Sequence, residues 1–298
     1  MKKNFEETVY EIDDLPFTTL APCWHEDFTI VYILSGTLVF HINHKTYLAS
    51  SGEGFFLNTG QVYFAEKYKS YPCRFLIIHI SQSLLYPEND DQIFQKYIRP
   101  VTGNPSFCHL TLIPRIPWQK YILENVKKMM ETCRTMQYGY EFKIHHFVNE
   151  IFYYILQNLS ALPELSRQQK KDIARIKTAM TYLEETYARK HTLLDIAQSC
   201  MLSRSECSRL FQRILHCSPV DCLIKVRILH SLPLIAAHEL SMADIAAKTG
   251  FSGGSYFSET FKKVMGFPQE IITGKSKKAL SIRADFPVLR AFLSFLLY

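Results

Sequence analysis

Two stretches in the last third of the chain decide its fold: TLLDIAQSCMLSRSECSRLFQRI, residues 192–214, and SMADIAAKTGFSGGSYFSETFKKV, residues 241–264. The first part of each copy aligns at an offset of 49 and the last part, after one inserted residue, at an offset of 50. Each copy opens on Ser or Thr with Asp three residues later, which resembles a helix capping box. A short apolar helix, a turn, a second Ser N-cap and a helix with a polar outer face then follow. This order predicts two helix-turn-helix units.

The segment between the two copies predicts one long helix over residues 219–237. Nineteen helical residues span about 28 Å, and recognition helices one DNA turn apart are separated by about 34 Å. The helix therefore has the length needed to hold two readers over successive major grooves. Pro233 lies inside it and is expected to kink or end the helix, because proline removes a backbone hydrogen bond.

The first hundred residues have the pattern of strands. FTIVYIL (28–34) and TLVFHIN (37–43) flank the turn dipeptide Ser35-Gly36, and further short β-rich runs follow. Closely spaced strands with tight turns predict a small antiparallel barrel or sandwich. From Trp118 the period becomes helical, and residues 141–159 are apolar almost all round, which predicts a helix buried between partners.

Charge is distributed unevenly along the 298 residues, whose net charge is +6. Residues 1–165 carry 14 basic and 17 acidic side chains, whereas residues 166–278 carry 18 basic and 10 acidic ones. A basic second half indicates contact with a polyanion, although a solvated basic surface is the alternative interpretation. Eight cysteines form no C-x-x-C pair, which favours reduced thiols in a cytoplasmic protein. There is no apolar signal segment at the start, and the apolar stretch from Asp285 is too short to span a membrane.

The C-terminal sequence DIAAKTGFSGGSYFSETFKKVMGF, with RILHSLPLI and LLDIAQSCMLSRSECSRLFQR before it, resembles the AraC/XylS family of bacterial transcription regulators. WHEDFTIVYILSGTLVFHINHKTYLASSGEGFFLNTGQVYF, near the start, is similar to the family's cupin-like barrel. The resemblance implies an α+β, multidomain fold. It implies a cupin-like antiparallel β-barrel that senses an effector in residues 1–105 and a helical dimerisation segment in 106–165. An all-α domain with two helix-turn-helix motifs joined by a linker helix follows in 170–274, and residues 275–298 form a tail without an assigned role.

The resemblance also places DNA contacts on individual residues. The base-reading positions fall on Arg204, Ser205, Ser208, Arg209, Gly254, Ser255 and Glu259. Arg209 is the leading candidate, because arginine can bind guanine through two hydrogen bonds; its alternative role is a phosphate contact or a solvated charge. The expected phosphate contacts are Arg213, Lys262, Lys263 and the amides at the Ser203 and Ser252 caps. Since glycine has no side chain to read a base, the second reader is expected to contribute less direct readout.

The effector is expected at the barrel mouth, where the family's metal-ligand positions fall on Cys23, His25, Thr29 and Tyr63. Only His25 keeps a typical ligand, so we expect neither a metal nor a catalytic residue nor a cofactor. These side chains, with Trp24 beside them to stack on a ligand, instead predict a pocket for a sugar or similar small metabolite. The alternative is that His25 and Tyr63 only satisfy each other in the core.

The sequence therefore predicts a cytoplasmic DNA-binding regulator, not an enzyme, that is controlled by a small molecule. Its expected partners are double-stranded DNA, the effector and a second copy of the chain, with RNA polymerase as a further candidate and no membrane. Two alternatives remain open: a sensor or scaffold with weakened DNA binding, and a metal-dependent cupin enzyme.

Overall fold

The computed structural model describes residues 5–11, 19–69, 72–85, 91–102, 104, 107–158, 165–266 and 268–269. The tail 275–298, including the apolar stretch from Asp285, lies outside the described residues. None of the described helices combines the length and the apolar character needed to cross a membrane.

The first part of the chain forms two antiparallel sheets. The strands are β1 (Phe5–Glu11), β2 (Thr19–Cys23), β3 (Phe28–Ser35), β4 (Thr37–Ile42), β5 (Lys45–Ser50), β6 (Gly54–Leu57), β7 (Tyr63–Lys67), β8 (Arg74–Ile80) and β9 (His109–Leu112). One sheet has the order β1-β8-β3-β6-β9 and the other the order β2-β7-β4-β5. Apolar side chains from both sheets, among them Val31, Phe40, Phe55 and Ile77, form one buried cluster. The predicted antiparallel β fold is confirmed.

The turn at Ser35-Gly36 separates β3 from β4, as the sequence indicates, but it does not make a hairpin. β3 pairs with β6 and β8, whereas β4 pairs with β5 and β7. The chain therefore crosses from one sheet to the other at this turn.

Short helices α1 (Gln82–Leu85), α2 (Asp91–Ile93) and α3 (Arg99–Thr102), with a π-helical turn at Phe94–Ile98, come before β9, and α4 (Pro117–Thr135) and α5 (Tyr140–Gln157) follow it.

Helices α4 and α5 pack on the five-stranded sheet. Val126 and Phe152 belong to the same buried cluster as Phe28 of β3. One face of α5 is buried in this cluster, whereas the outer side chains Phe142 and Tyr153 are 84% and 54% exposed in the single chain.

The last part of the chain is helical. It contains α6 (Arg167–Thr186), α7 (Leu193–Ser199), α8 (Arg204–Leu215), α9 (Pro219–Ala237), α10 (Met242–Lys248) and α11 (Gly254–Met265). The linker helix α9 has the predicted bounds and contains Pro233, so the proline does not end it. Its nineteen residues correspond to a length of about 28 Å.

The helical part packs against the sheets through α6 and α8. Trp24, Val62 and Cys108 from the β part share one buried cluster with residues of α6, α7 and α8. The Nζ atom of Lys177 on α6 lies 3.7 Å from the centroid of the Trp24 ring. The barrel and the first helix-turn-helix unit thus have a common apolar interface.

Candidate nucleic-acid interface and effector cleft

The two copies of the repeated pattern fold as helix-turn-helix units, α7 with α8 and α10 with α11. Ser203 caps α8: its hydroxyl accepts a hydrogen bond from the amide of Glu206, and the Glu206 carboxylate accepts one from the amide of Ser203. Cys207, Leu210 and Phe211 of α8 are buried. The polar face of α8 is consequently the one that faces solvent.

The predicted base-reading residues of α8 lie on this outer face. Arg204, Ser205 and Arg209 are exposed, and Ser208 is half-buried. An exposed guanidinium near the start of a recognition helix has the reach and the donor geometry to bind guanine in the major groove.

Helix α11 begins differently. The prediction that Ser252 caps it is wrong, since the N-cap is Gly253 and no side chain makes the cap hydrogen bond. The second unit has one more residue between its helices than the first, which moves the cap from Ser252 to the following position. Ser255 and Glu259 are exposed on α11, and Gly254 is half-buried. The start of this helix therefore presents backbone rather than side chains.

The predicted phosphate contacts divide into free and engaged groups. Lys262 and Lys263 are exposed in the last turn of α11. Arg213 instead donates to Asp172 of α6, with Nη2 2.6 Å from Oδ2. The amide of Ser203 donates to the Glu206 carboxylate at 3.1 Å. A phosphate contact by Arg213 or by the Ser203 amide would have to break these bonds.

The turns of the two units use different residues at the same position. Met201 in the first turn has a positive φ of 54° and Gly250 in the second has a φ of 80°. A Cβ atom at Gly250 would lie 2.8 Å from the carbonyl oxygens of Tyr187 and Ala188. Only glycine fits this second turn without strain, whereas Met201 is strained but exposed to solvent.

The end of α6 connects the two units through α9. Nε2 of His230 lies 2.5 Å from Oε1 of the buried Glu184, and the His230 ring stacks on Tyr187 at 3.7 Å. Arg227 donates to the carbonyl oxygens of Tyr187 and Arg189. These contacts hold α9, which leads to the second unit, against the end of α6.

The residues predicted to form the barrel-mouth pocket do meet, but in the interior. Strand pairing places Cys23 opposite Tyr63 and Thr29 opposite His79. The Thr29 hydroxyl and the His79 Nδ1 atom are 3.2 Å apart, and the rings of His25 and His79 have centroids 4.0 Å apart. This cluster is at least nine-tenths buried at every member, namely Cys23, His25, Thr29, Tyr63 and His79.

Burial controls the protonation of this cluster. It raises the pKa of the Cys23 thiol to about 12 and lowers the pKa of His79 to about 4. The pKa of His25 is held well below its ordinary value, mainly by burial and to a smaller extent by the charge of the neighbouring His79. The cluster is therefore uncharged at neutral pH. His79 was not predicted to belong to this cluster. It continues the alternation of Phe75 and Ile77, the inward-facing residues of β8, and this pattern could have identified it.

Trp24 points the other way, into a cleft of about 980 Å³ between the barrel and the helical part. The volume is near the upper end of the range for small-molecule sites. The cleft is lined by Trp24 and residues 58–61 of the barrel, by Lys170, Lys177 and Tyr182 of α6, and by Asp195, Gln198 and Ser199 of α7. The wall formed by residues 58–61 is attached to the buried cluster, since the Gly60 amide donates to the carbonyl oxygen of His25 at 2.6 Å.

Lys177 is the charged group of the cleft that contacts Trp24. Its Nζ atom lies over the Trp24 ring and 3.4 Å from Oε1 of Glu26. Burial lowers the pKa of Lys177, while Glu26 acts in the opposite direction. No local pattern in the sequence marks Lys177, because the cleft exists only where two distant parts of the chain meet.

Comparison with known proteins agrees with this architecture. Residues 9–112 match the family model of the AraC-like ligand binding domain, and residues 196–268 match a helix-turn-helix domain model. The chain is 28% identical over 242 residues to the uncharacterized HTH-type transcriptional regulator YdeC of Bacillus subtilis, covering 81% of this chain and 82% of YdeC. It is 22% identical over 245 residues, 81% of this chain and 82% of the relative, to the raffinose operon transcriptional regulatory protein RafR of Pediococcus pentosaceus.

A structure of ToxT from Vibrio cholerae is similar at 16% identity, with a TM-score of 0.49 and coverage of 92% of this chain and 100% of ToxT. A ligand-binding domain followed by a helix-turn-helix domain defines a transcription regulator that responds to a small molecule. The chain belongs to the AraC family of these regulators.

Proposed function

We propose that a small polar metabolite binds in the cleft and controls how the first helix-turn-helix unit meets DNA. The observation that carries the proposal is the origin of the lining: Trp24 and Gln61 come from the barrel, whereas Gln198 and Ser199 come from α7. A ligand that touches both parts stabilises one arrangement of them over others. Such a differential contact is the physical requirement for an effector to change the affinity for DNA.

A sugar is the ligand class that best fits this lining. Amide, hydroxyl and charged side chains surround the aromatic ring of Trp24, and a sugar offers hydroxyl groups to the former and an apolar face to the latter. Relatives named for sugar operons support the same class: RafR, and the melibiose operon regulatory protein of Escherichia coli, 28% identical over 111 residues, 35% of this chain and 37% of that protein.

Two tryptophans, Trp24 and Trp118, make the ligand test direct. In the Trp118→Phe variant the fluorescence of the cleft tryptophan is observed alone. Titration with lactose, melibiose and raffinose should produce a saturable change for at least one sugar. The same sugar should fail to shift the melting temperature of Trp24→Ala. A panel without any saturable change would reject sugars as the ligand class.

For DNA, we propose that α8 reads bases and that α11 mainly holds the backbone. Arg204 and Arg209 are exposed on α8, whereas α11 presents Gly254, Glu259 and the terminal pair of lysines. Fluorescence anisotropy at a fixed salt concentration, with the DNA fragment upstream of the chain's own gene, tests these separate roles of α8 and α11. The bare start of α11 supports a second candidate, a sensor with weakened DNA binding, and absence of any complex at low salt would favour it.

We further propose a cytoplasmic homodimer that acts together with RNA polymerase. The exposed apolar side chains of α4 and α5 and of the loop between them support a dimer surface, namely Tyr121, Met136, Tyr138, Phe142 and Tyr153. Two copies on one operator would raise the affinity through effective concentration. Sedimentation of Phe142→Asp should show a monomer if this surface forms the dimer, and an unchanged dimer would place the interface elsewhere.

A further inference from the structure

A second cluster of polar side chains joins the barrel to the first helix-turn-helix unit, and none of its members lines the cleft. His41 comes from β4, Glu66 from β7, and His216 from the position directly after α8. Nε2 of His41 is 3.6 Å from Oε2 of Glu66. One ligand atom from each of the three residues lies within 4.8 Å of the other two.

Strand register and helix capping bring the three together. Phe64 of β7 lies opposite His41, and Glu66 lies opposite Val39, so His41 and Glu66 are diagonal neighbours on one face of the sheet. His216 ends α8 with a left-handed φ of 54°. Its ring meets the His41 ring edge-on, with centroids 4.6 Å apart and an interplanar angle of 79°.

The His41 ring is held in a fixed orientation. Its side chain is buried, Nδ1 lies 3.0 Å from the Thr46 hydroxyl, and the Phe64 ring stacks on it at 4.1 Å. When Nδ1–H donates to Thr46, Nε2 presents its lone pair toward Glu66 and His216. Nε2 has no hydrogen-bond partner among the described residues. A buried nitrogen without a hydrogen-bond partner is satisfied by a bound water or ion.

We infer that His41, Glu66 and His216 bind a divalent first-row metal ion, best zinc, which fastens the barrel to the end of α8. Two imidazoles and one carboxylate suit zinc and leave a position open for water. The Thr46 contact is the outer hydrogen bond that orients a metal-binding histidine. Because zinc bonds are about 2.0–2.2 Å long, the cluster has to contract, and the exposed His216 is the member able to move.

This metal site goes beyond the proposed function and does not depend on DNA or sugar binding. Lys225 of α9 is the nearby cation whose charge reaches Glu66, and it opposes metal binding. The half-buried side chain of Glu66 and the exposed His216 give an ion in solution access to the buried nitrogen of His41.

The test is calorimetric titration of the full chain, freed of metal by chelation, with zinc chloride. One equivalent should bind, and the melting temperature should rise. Glu66→Gln and His216→Gln should each weaken binding by at least about 10-fold, and Thr46→Val by about 10-fold, the range expected for loss of an outer hydrogen bond. The exposed His145 of α5 provides the control, since His145→Gln should bind zinc as the wild type does.

Cysteine is the competing ligand, and Cys217 is next to His216 in the chain. Cys217→Ser should keep the affinity, and bound cobalt should show d–d absorption without a thiolate charge-transfer band. Unfolding curves of the variants confirm that each is folded. Failure of zinc to bind the wild type, equal binding by folded His216→Gln, or loss of binding in Cys217→Ser would each overturn the inference.

Discussion

The turn of the first helix-turn-helix unit contains a strain that a single substitution should remove. Met201 has a φ of 54° and a side chain that is 87% exposed, whereas the equivalent Gly250 of the second unit has a φ of 80°. A left-handed conformation costs a residue with a side chain about 1–2 kcal/mol. Glycine in the same place adds about 0.5–1 kcal/mol of unfolded-chain entropy to the cost of folding.

The net expectation for Met201→Gly is a free energy of unfolding that rises by about 0.5–1 kcal/mol. Little apolar burial is lost, because the methionine is exposed. Gly250→Ala provides the matched opposite case, since its new Cβ would lie 2.8 Å from two backbone oxygens. Strain and clash together should lower the free energy of unfolding by about 2 kcal/mol or more.

Urea unfolding of the full chain measures both changes, provided that the m-values stay equal to that of the wild type. The affinity of Met201→Gly for DNA should not change, because the turn keeps its shape. A lower urea midpoint for Met201→Gly, or an unchanged midpoint for Gly250→Ala, would show that these turns do not carry the strain assigned to them.

Three further predictions concern the readers and the barrel. Arg209→Ala should relax the sequence preference at one base pair, at a cost of about 1–3 kcal/mol in binding free energy. Lys263→Ala should instead weaken the affinity for every DNA sequence and reduce the slope of affinity against salt by about one unit. If anisotropy on variant operators shows that Arg209→Ala loses the same affinity on every sequence, Arg209 is a phosphate contact. The pKa of His79 is lowered to about 4, so the unfolded chain binds its proton first as the pH falls, and stability is lost between about pH 6.5 and 4. The loss at about pH 5 is roughly 2 kcal/mol, and a His79→Gln variant with the same dependence on pH in urea unfolding would contradict it. Gly253→Ser should add a cap to α11 and raise stability by a few tenths of a kcal/mol, since a side chain there meets nothing within 4 Å; a lower melting temperature would refute the cap assignment.

Local patterns in the sequence predicted most of the helical part of the fold. The Ser or Thr caps with an acidic residue three positions later mark the starts of α7, α8 and α10, because a capping box involves only neighbouring residues. The same logic failed at Ser252, where one extra turn residue moves the cap to Gly253. Pro233 did not end α9, since packing along the helix outweighs one missing hydrogen bond.

The candidate site was harder to predict because it depends on contacts between distant residues. Trp24 was predicted to stack on a ligand and lines the cleft, but Lys177, which lies over its ring, is on a helix more than a hundred residues later. Cys23 and Tyr63 were expected to face a ligand, yet they pair across β2 and β7 inside the barrel. Which side of a strand faces the cavity is decided by the packing of α6 on the barrel, and no local pattern encodes it.

The proposed function requires the cleft to couple the barrel to the reader α8 through α7. The most direct measurement is the affinity of the full chain for its own upstream DNA, at fixed salt, with and without a saturating sugar that binds Trp24. The coupling predicts a change of about 5- to 150-fold in that affinity, and the same DNA should change the affinity for the sugar by the same factor. An affinity for DNA that stays constant while the sugar occupies the cleft would contradict the account.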